Sequence, residues 1–413
     1  MANPGIEEGV PGRLKASGSG GLTPNLTPLT PQSILIVAGE PSGDQLAAEL
    51  VLALRKAWGP VPPRFFGAGG MAMADAGVEI RHNLTGLSAI GPADALRQYS
   101  RYRDAFDGLL RDAVDQTPAM VIGVDFGAFN LRLARAIRER ATPHDAFHNW
   151  SPRIIQFVSP QVWASRPGRA QQIGRTHDLL LSILPFEAAW YADHAPSVKV
   201  RFVGHPLVDR HGPQTLPLPP RTGSPLPRLV LLPGSRAGEL RRHWPVVAAA
   251  AAQVQQRTGA ESVLVLPSDS ARGSLPAGVK DPPGLRIRIG GLAEELRAAD
   301  VAIASTGTVT LECAWFQVPT VALYRTSWST YQIGRRIIQV PHLALPNLLA
   351  ESPVIPEFIQ DAATPEALAG AAIRFLEDRS LREETRAELG RIRSRLGEPG
   401  ACARAADAIL QLR

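Results

Sequence analysis

Several short stretches of the chain combine small, hydroxylated and charged residues at spacings that could do chemistry. Asp125 closes the apolar run Val121 to Val124 and is followed by Phe126-Gly127-Ala128-Phe129-Asn130. A carboxylate there reads two ways: as a general base at the mouth of a cleft, or as the N-cap of the helical stretch Leu131 to Glu139. Leu232-Pro233-Gly234-Ser235-Arg236, followed by Glu239, is a small-residue turn after an apolar run. Its amides can approach a phosphate, and Arg236 can fork onto phosphate oxygens. Ser305-Thr306-Gly307-Thr308-Val309-Thr310-Leu311-Glu312 repeats that logic, offering a helix start to a pyrophosphate and Glu312 to a ribose diol. Taken together, these two turns read as one nucleoside-diphosphate site.

Two other loops have weaker chemistry. Ala38-Gly39-Glu40-Pro41-Ser42-Gly43-Asp44 joins an apolar run to a helical stretch and suits either an anionic or hydroxylated ligand or a plain turn capped by Ser42 or Asp44. Gly67-Ala68-Gly69-Gly70 is a second such turn. Val158 to Arg166, continuing to Arg169 and Arg175, reads as a basic surface loop too narrow for nucleic acid. His205 stands in Gly204-His205-Pro206 either as a structural histidine or at the cleft edge. No HExxH, Walker A or GxSxG pattern occurs, so metalloprotease, P-loop and serine-hydrolase readings fall away, and no metal or cofactor is expected.

The elements that must position these turns show in the apolar pattern. Runs at Ile34 to Ala38, Arg64 to Gly67, Met120 to Val124, Ile154 to Val158, Leu179 to Ile183 and Val200 to Val203 alternate with helical stretches. After a Pro-, Gly- and Thr-rich break the same grammar restarts at Leu229 to Leu232, Ser262 to Leu266, Leu285 to Ile289, Val301 to Ala304 and Thr320 to Tyr324. Strands of this kind, each followed by a turn and an amphipathic helix, predict two doubly wound Rossmann-like halves facing a central cleft. The expected organisation is a flexible tail over 1–32, a first half over 33–210, a linker over 211–227, a second half over 228–364, and helices over 365–413 packing back on the first half.

Composition bounds the rest. At 413 residues the chain suits two or three units of about 150 residues each. Apolar residues make up 45% and charged residues 20%, enough to bury cores. Lys and Arg number 44 against 38 acidic residues, a net +6, which fits an anionic ligand or leaflet but gives nucleic acid no claim. Cys313 and Cys402 are too few for a disulfide framework, so a cytoplasmic setting is expected. No apolar run approaches the roughly 18 residues of a spanning helix.

Read in order, AGEPSGD (38 to 44), VIGVDFGAFNLRLA (121 to 134), VSPQVWASR (158 to 166), LPFE (184 to 187), VGHPLVD (203 to 209), LLPGSRAGEL (231 to 240), STGTVTLECA (305 to 314), LPNLLA (345 to 350) and PEFIQ (356 to 360) resemble the lipid-A-disaccharide synthase family from about Ile34 to the end. That resemblance implies a GT-B fold and an inverting transfer of 2,3-diacylglucosamine from UDP-2,3-diacylglucosamine to the 6-hydroxyl of 2,3-diacylglucosamine 1-phosphate, giving a β-1,6 disaccharide and UDP. It implies Asp125 as the base. It places Gly234, Ser235, Arg236, Thr306, Gly307, Thr308, Glu312, Asn347 and Gln360 around UDP, and Glu40, Ser42, Gly43 and Asp44 on the acceptor side. It further implies peripheral attachment to the cytoplasmic face of the inner membrane and a homodimer that exchanges C-terminal segments. The chain departs from the family at Gly127 and Ala128, where Pro and a second Asp are usual, at Ser165 in place of Trp, and at Thr306 in place of Ser. Alternatives are a non-catalytic UDP-sugar sensor and another GT-B enzyme such as a UDP-N-acetylglucosamine 2-epimerase.

For the membrane contact, a helix from Asp94 to Leu110 would set Leu96, Tyr99, Phe106 and Leu110 on one side, flanked by Arg97, Arg101 and Arg103. It serves either as an interfacial helix or as a core-facing amphipathic one.

Overall fold

The computed structural model describes Met1 and residues 33–85, 92–141, 150–212 and 226–412. The expected tail over 1–32 and most of the expected linker therefore lie outside the described residues. Residues Pro31–Arg413 form one compact unit. Its first sheet is built from β1 (Ser33–Ala38), β2 (Arg64–Gly69), β3 (Glu79–Asn83), β4 (Met120–Val124), β5 (Arg153–Phe157), β6 (Leu179–Ser182) and β7 (Lys199–Phe202). All its pairings are parallel, in the order β3-β2-β1-β4-β5-β6-β7. The second sheet contains β8 (Arg228–Leu232), β9 (Glu261–Leu266), β10 (Arg286–Ile289), β11 (Val301–Ser305), β12 (Thr320–Tyr324) and β13 (Glu357–Ile359). It too is parallel, in the order β10-β9-β8-β11-β12-β13.

The central strands follow the apolar runs because helices cover both faces of a parallel sheet, which leaves every side chain of a strand such as β1 or β4 buried. Helix Pro41–Trp58 shows the matching half of the pattern, burying Leu46, Leu50 and Leu54 one turn apart. Of the four edge strands, β7 and β10 fall within expected apolar runs, while β3 and β13 escape the pattern. β3 reads Glu-Ile-Arg-His-Asn and β13 only Glu-Phe-Ile, because an edge strand is half exposed and needs no continuous apolar run.

Three helices end the chain, and they correct the expected return of 365–413 to the first half. Helix Pro365–Glu377 packs on helix Ala237–Thr258, and Arg379–Arg395 packs on Thr308–Trp315 and Leu345–Ala350, all in the second half. Only Ala401–Leu410 crosses, inserting Ala405 and Ile409 into the core beneath helix Pro41–Trp58. Its start is fastened by Asp209, whose carboxylate accepts the Gly400 and Ala401 N–H groups, and Arg404 Nε donates to the Val203 carbonyl at 2.8 Å. The two halves also share a core in which Trp163, Leu184 and Leu207 meet Val230, Ala304 and Leu311.

Helix Pro92–Gln116 forms as the pattern predicts, but it turns Leu110 into the core of the first half. Phe106 packs there edge-on to Phe129, with ring centroids 5.6 Å apart. Leu110 is buried and Phe106 partly so, as the core-facing alternative for this helix requires. The Leu96, Arg97 and Tyr99 side chains lie outside the description. No described helix is long and apolar enough to cross a membrane.

Both sheets reverse strand order once, between β1 and β4 and between β8 and β11. Neighbouring crossovers leave in opposite directions at such a point, opening a crevice beyond the strand ends where ligands of open α/β sheets bind. The turns singled out by their chemistry are those that follow β1, β4, β8 and β11.

Candidate active site

Asp125 follows β4 at the first reversal with a left-handed backbone, φ +49°, and Phe126 continues it at +46°. Two successive non-glycine residues there cost on the order of 1–3 kcal/mol each, so the surroundings must impose the shape. They do so through buried amides. Asn130 Nδ2 and Gln156 Nε2 both donate to the Asp125 carbonyl, at 2.9 and 2.8 Å, while the Asp125 N–H donates to the Phe157 carbonyl at 2.8 Å. Gly123 makes this possible, since a Cβ there would stand 2.4 Å from Gln156 Oε1. The Phe126 ring stacks on Phe129 at 5.1 Å and lies over Gly39, where a Cβ would fall 2.4 Å from the ring.

Asp125 is not the helix cap. The following helix, Gly127–Ala141, takes its first bonds from Phe129 N–H and Asn130 N–H to the Phe126 carbonyl. The Asp125 carboxyl is held above the usual carboxylate range, first by burial and then by the nearby Glu40 charge, with the Phe126 amide and Arg236 pulling it back. A carboxylate so destabilised is a stronger base than an exposed one.

Beside it, helix Pro41–Trp58 begins so close that a Cβ on Gly43 would lie 3.6 Å from Asp125 Cβ. Glu40 and Ser42 are exposed here. Asp44 is not exposed: its carboxylate accepts the N–H groups of Gly70, Ala72 and Met73 at 2.7, 3.0 and 3.3 Å. It therefore fastens the Gly67-Ala68-Gly69-Gly70 turn to the loop after β1. Neither Ser42 nor Asp44 caps helix Pro41–Trp58, whose N-cap is Glu40.

At the second reversal, Gly234 takes φ +121° and lets the turn fold over the start of helix Ala237–Thr258. Glu239 Oε2 accepts the Ser235 N–H at 3.4 Å, and Glu239 Oε1 stands 3.8 Å from Arg236 Nη1. The other guanidinium nitrogen, Nη2, reaches 3.5 Å from Glu40 Oε1, so Arg236 spans the cleft. In the partner turn, Gly307 takes φ +126° and a Cβ there would meet only open space. Its carbonyl accepts from the N–H and Oγ1 of Thr310, at 3.1 and 2.6 Å. Thr306 N–H donates to the Leu323 carbonyl at 3.0 Å, and Thr308 is exposed. Neither helix start carries a side-chain cap, which leaves the N–H groups of Ala237, Gly238, Thr308 and Val309 without a side-chain acceptor at the strand ends. Glu312, a turn further in, is 3.5 Å from His211 Nε2.

Asn347 and Gln360, also expected near UDP, hydrogen-bond to neighbouring backbone. Asn347 is fully buried, with Nδ2 donating to the Ile355 carbonyl at 2.8 Å and to Glu357 Oε1 at 2.6 Å, and Oδ1 accepting the Ile355 N–H at 2.9 Å. It shapes its own turn. Gln360 spends its amide on Thr326, accepting the N–H at 2.6 Å and donating to the carbonyl at 3.3 Å. It holds the loop after β12. His243, which local sequence did not single out, does comparable work. Buried in helix Ala237–Thr258, its Nδ1 lies 2.6 Å from the Pro233 carbonyl and its Nε2 accepts the Arg325 N–H at 2.9 Å, so one ring ties the turn after β8 to that after β12. Burial holds the ring below the usual histidine range, as an Nε2 that accepts requires. The available signal was one polar residue on the buried face of an apolar helix. His205 is structural: buried, it accepts the Leu207 N–H as the N-cap of Pro206–His211.

Asp125 also borders an open cavity of about 350 Å³ between the start of Gly127–Ala141 and the loop 158–166. Among the described residues no cluster of His, Cys, Asp and Glu could hold a metal ion.

Two parallel sheets with their crevices turned toward one cleft define the GT-B class of glycosyltransferase folds. Solved structures agree in fold: a putative UDP-N-acetylglucosamine 2-epimerase from Listeria monocytogenes superposes with a TM-score of 0.61 at 14% identity, over 92% of this chain and 96% of that one. The calicheamicin glycosyltransferase gives 0.54 at 17%, over 92% and 98%. A sequence model of the family described as lipid-A-disaccharide synthetase matches residues 34–412, and the chain belongs to that family. The lipid-A-disaccharide synthase of Myxococcus xanthus is 37% identical over 388 residues, 92% of this chain and 98% of its own length. That of Geobacter sulfurreducens is 35% identical over 396 residues, covering 94% and 99%. The chain is thus a glycosyltransferase, while its likeness to the epimerase extends only to fold.

Proposed function

We propose that this enzyme transfers 2,3-diacylglucosamine from UDP-2,3-diacylglucosamine to the 6-hydroxyl of 2,3-diacylglucosamine 1-phosphate, with inversion. The observation that carries the reading is the placing of Asp125, a raised-pKa carboxylate on the first crevice, opposite the uncapped turns around Arg236 and Gly307 on the second. Asp125 takes the proton of the acceptor 6-hydroxyl as that oxygen attacks C1 of the donor sugar. The O6–C1 bond forms, the bond from C1 to the UDP oxygen breaks, and the electron pair leaves with UDP. Arg236 and the amides before Ala237 and Thr308 meet the charge that develops on the diphosphate, and Glu312 suits the ribose diol. The amides are fixed before reaction, so little reorganisation opposes the step.

The test is to incubate the full chain with both substrates and follow disaccharide and UDP by mass spectrometry. Disaccharide formed at full rate by Asp125→Ala refutes the base, and UDP binding without product favours a sensor.

The reading includes work at the cytoplasmic face of the inner membrane and a homodimer exchanging C-terminal segments. Helix Trp328–Ile337 supports the first part: it buries no residue, exposes Trp328 and Ile333, and ends in Arg335 and Arg336, the pairing an anionic leaflet attracts. Flotation with anionic vesicles at low and high salt tests it. The second part rests on helix Ala401–Leu410, a separate cap joined through Gly397 and Gly400, both with positive φ. Light scattering reads the oligomeric state.

A further inference from the structure

We propose that Arg166 and Arg169 form the subsite for the phosphate of the acceptor, placed in the same cavity as Asp125. This rests on the acceptor reading above and names the part of the enzyme that recognises the anionic end of that sugar. The cavity of about 350 Å³ falls in the range of about 300–1,000 Å³ that suits small ligands, room for one sugar head group with acyl chains leaving by the open side. Its wall presents Asp125 as the one carboxylate, Arg166 and Arg169 as guanidiniums, and apolar surface from Leu131, Pro160 and Val162. A ligand that answers this wall has a hydroxyl for the base, an apolar ring face and an anionic group. Both arginines are exposed, so a ligand in the cavity can reach them. Guanidiniums in such a pair suit a phosphate monoester, which accepts forked hydrogen bonds.

The loop that carries them is built, not loose. Val158 takes φ +65°, Tyr191 Oη donates to the Pro160 carbonyl at 2.7 Å, and Trp163 Nε1 donates to Glu187 Oε1 at 3.0 Å. Glu187 and Tyr191 are both fully buried. The Gln339 N–H, from the second half, donates to the Ala164 carbonyl at 2.9 Å. This anchoring holds the loop, and with it the start of helix Arg169–Thr176, against the cavity. The donor diphosphate has its own arginine and its own amides across the cleft, so it makes no demand on this pair.

The experiment compares the full chain with Arg166→Ala, Arg169→Ala, the double variant and the Lys pair. Transfer is measured to 2,3-diacylglucosamine 1-phosphate and to 2,3-diacylglucosamine lacking the phosphate, and UDP affinity and glucosamine 1-phosphate binding are measured separately. Charge-assisted bonds predict a KM for the phosphorylated acceptor raised about 10- to 100-fold per arginine lost, partial rescue by Lys, and an unchanged UDP affinity. The double variant should treat the two acceptors nearly alike. Wild-type preference for the phosphorylated acceptor in the double variant overturns the subsite, as does a loss of UDP affinity equal to the loss of acceptor. Arginine-dependent binding of glucosamine 1-phosphate by a chain that forms no disaccharide would keep the subsite and sink the transfer reading. Disaccharide formation indifferent to both arginines would do the reverse.

Discussion

Arg236 Nη2 stands 3.5 Å from Glu40 Oε1, joining the turn after β8 to the turn after β1 across the cleft. The side chains are 71% and 50% exposed. An ion pair so open to water contributes on the order of 0–1 kcal/mol, so a diphosphate can replace the carboxylate on Arg236 at little cost. The same Glu40 raises the Asp125 carboxyl beside it, while Arg236 from across the cleft lowers it.

Glu40→Gln should therefore shift the acid limb of the pH–rate profile. Asp125 accepts a proton only when ionised, so activity falls as pH drops through its pKa, which lies above the usual carboxylate range. Removing a negative neighbour makes ionisation easier and moves the limb to lower pH. The measurement is kcat/KM against pH for both proteins; an unmoved limb contradicts the coupling.

Asp125→Asn keeps the shape of the turn, since the bonds from Asn130 and Gln156 go to the backbone carbonyl. Transfer should drop about 10²- to 10⁴-fold, the usual worth of a positioned base, with UDP affinity within about twofold of the parent. Single-turnover rates and UDP titration separate the two effects, and a loss confined to UDP affinity would place Asp125 in the wrong role.

His243→Ala deprives the Pro233 carbonyl and the Arg325 N–H of their shared partner. Leaving such groups unpaired costs about 1–3 kcal/mol. The urea midpoint should fall, and UDP should bind more weakly because both turns lose their tie. His243→Gln, able to donate and accept, should recover part of each. Equal UDP affinity in the Ala variant would mean the clamp serves stability alone.

Gly39→Ala places a methyl group 2.4 Å from the Phe126 ring, so the ring must leave its stack on Phe129. Because Phe126 shares the left-handed pair with Asp125, the base should shift with it. Stability should fall by about 1–3 kcal/mol, the cost of overpacking, and kcat should fall more than KM changes. A variant with parental kcat would show that the ring does not govern the base.

Much of this architecture was legible without coordinates. The apolar runs of β1, β4, β8 and β11 are local, and a parallel strand buried on both faces must be apolar whatever its neighbours are. The turns after them were legible for the same reason, since Gly234 and Gly307 answer to backbone shape at their own positions. Edge strands β3 and β13 were not, because Glu-Ile-Arg-His-Asn and Glu-Phe-Ile carry too few apolar residues to make a run.

The roles of the polar residues were decided elsewhere. Asp44 and Gly70 are 26 residues apart, His243 and Arg325 are 82, and Arg236 and Glu40 are 196. Whether a carboxylate or amide serves a ligand or the backbone depends on which donors the fold brings to it. That put backbone partners on Asp44, Asn347 and Gln360 and set Asp125 at the edge of the cavity. By itself the sequence determined the central strands, the turns after them and the kinds of chemistry available, because these depend on neighbours along the chain. Only the tertiary structure decided which polar groups remain open to a substrate, because a hydrogen bond between distant residues forms only when packing sets both partners in place.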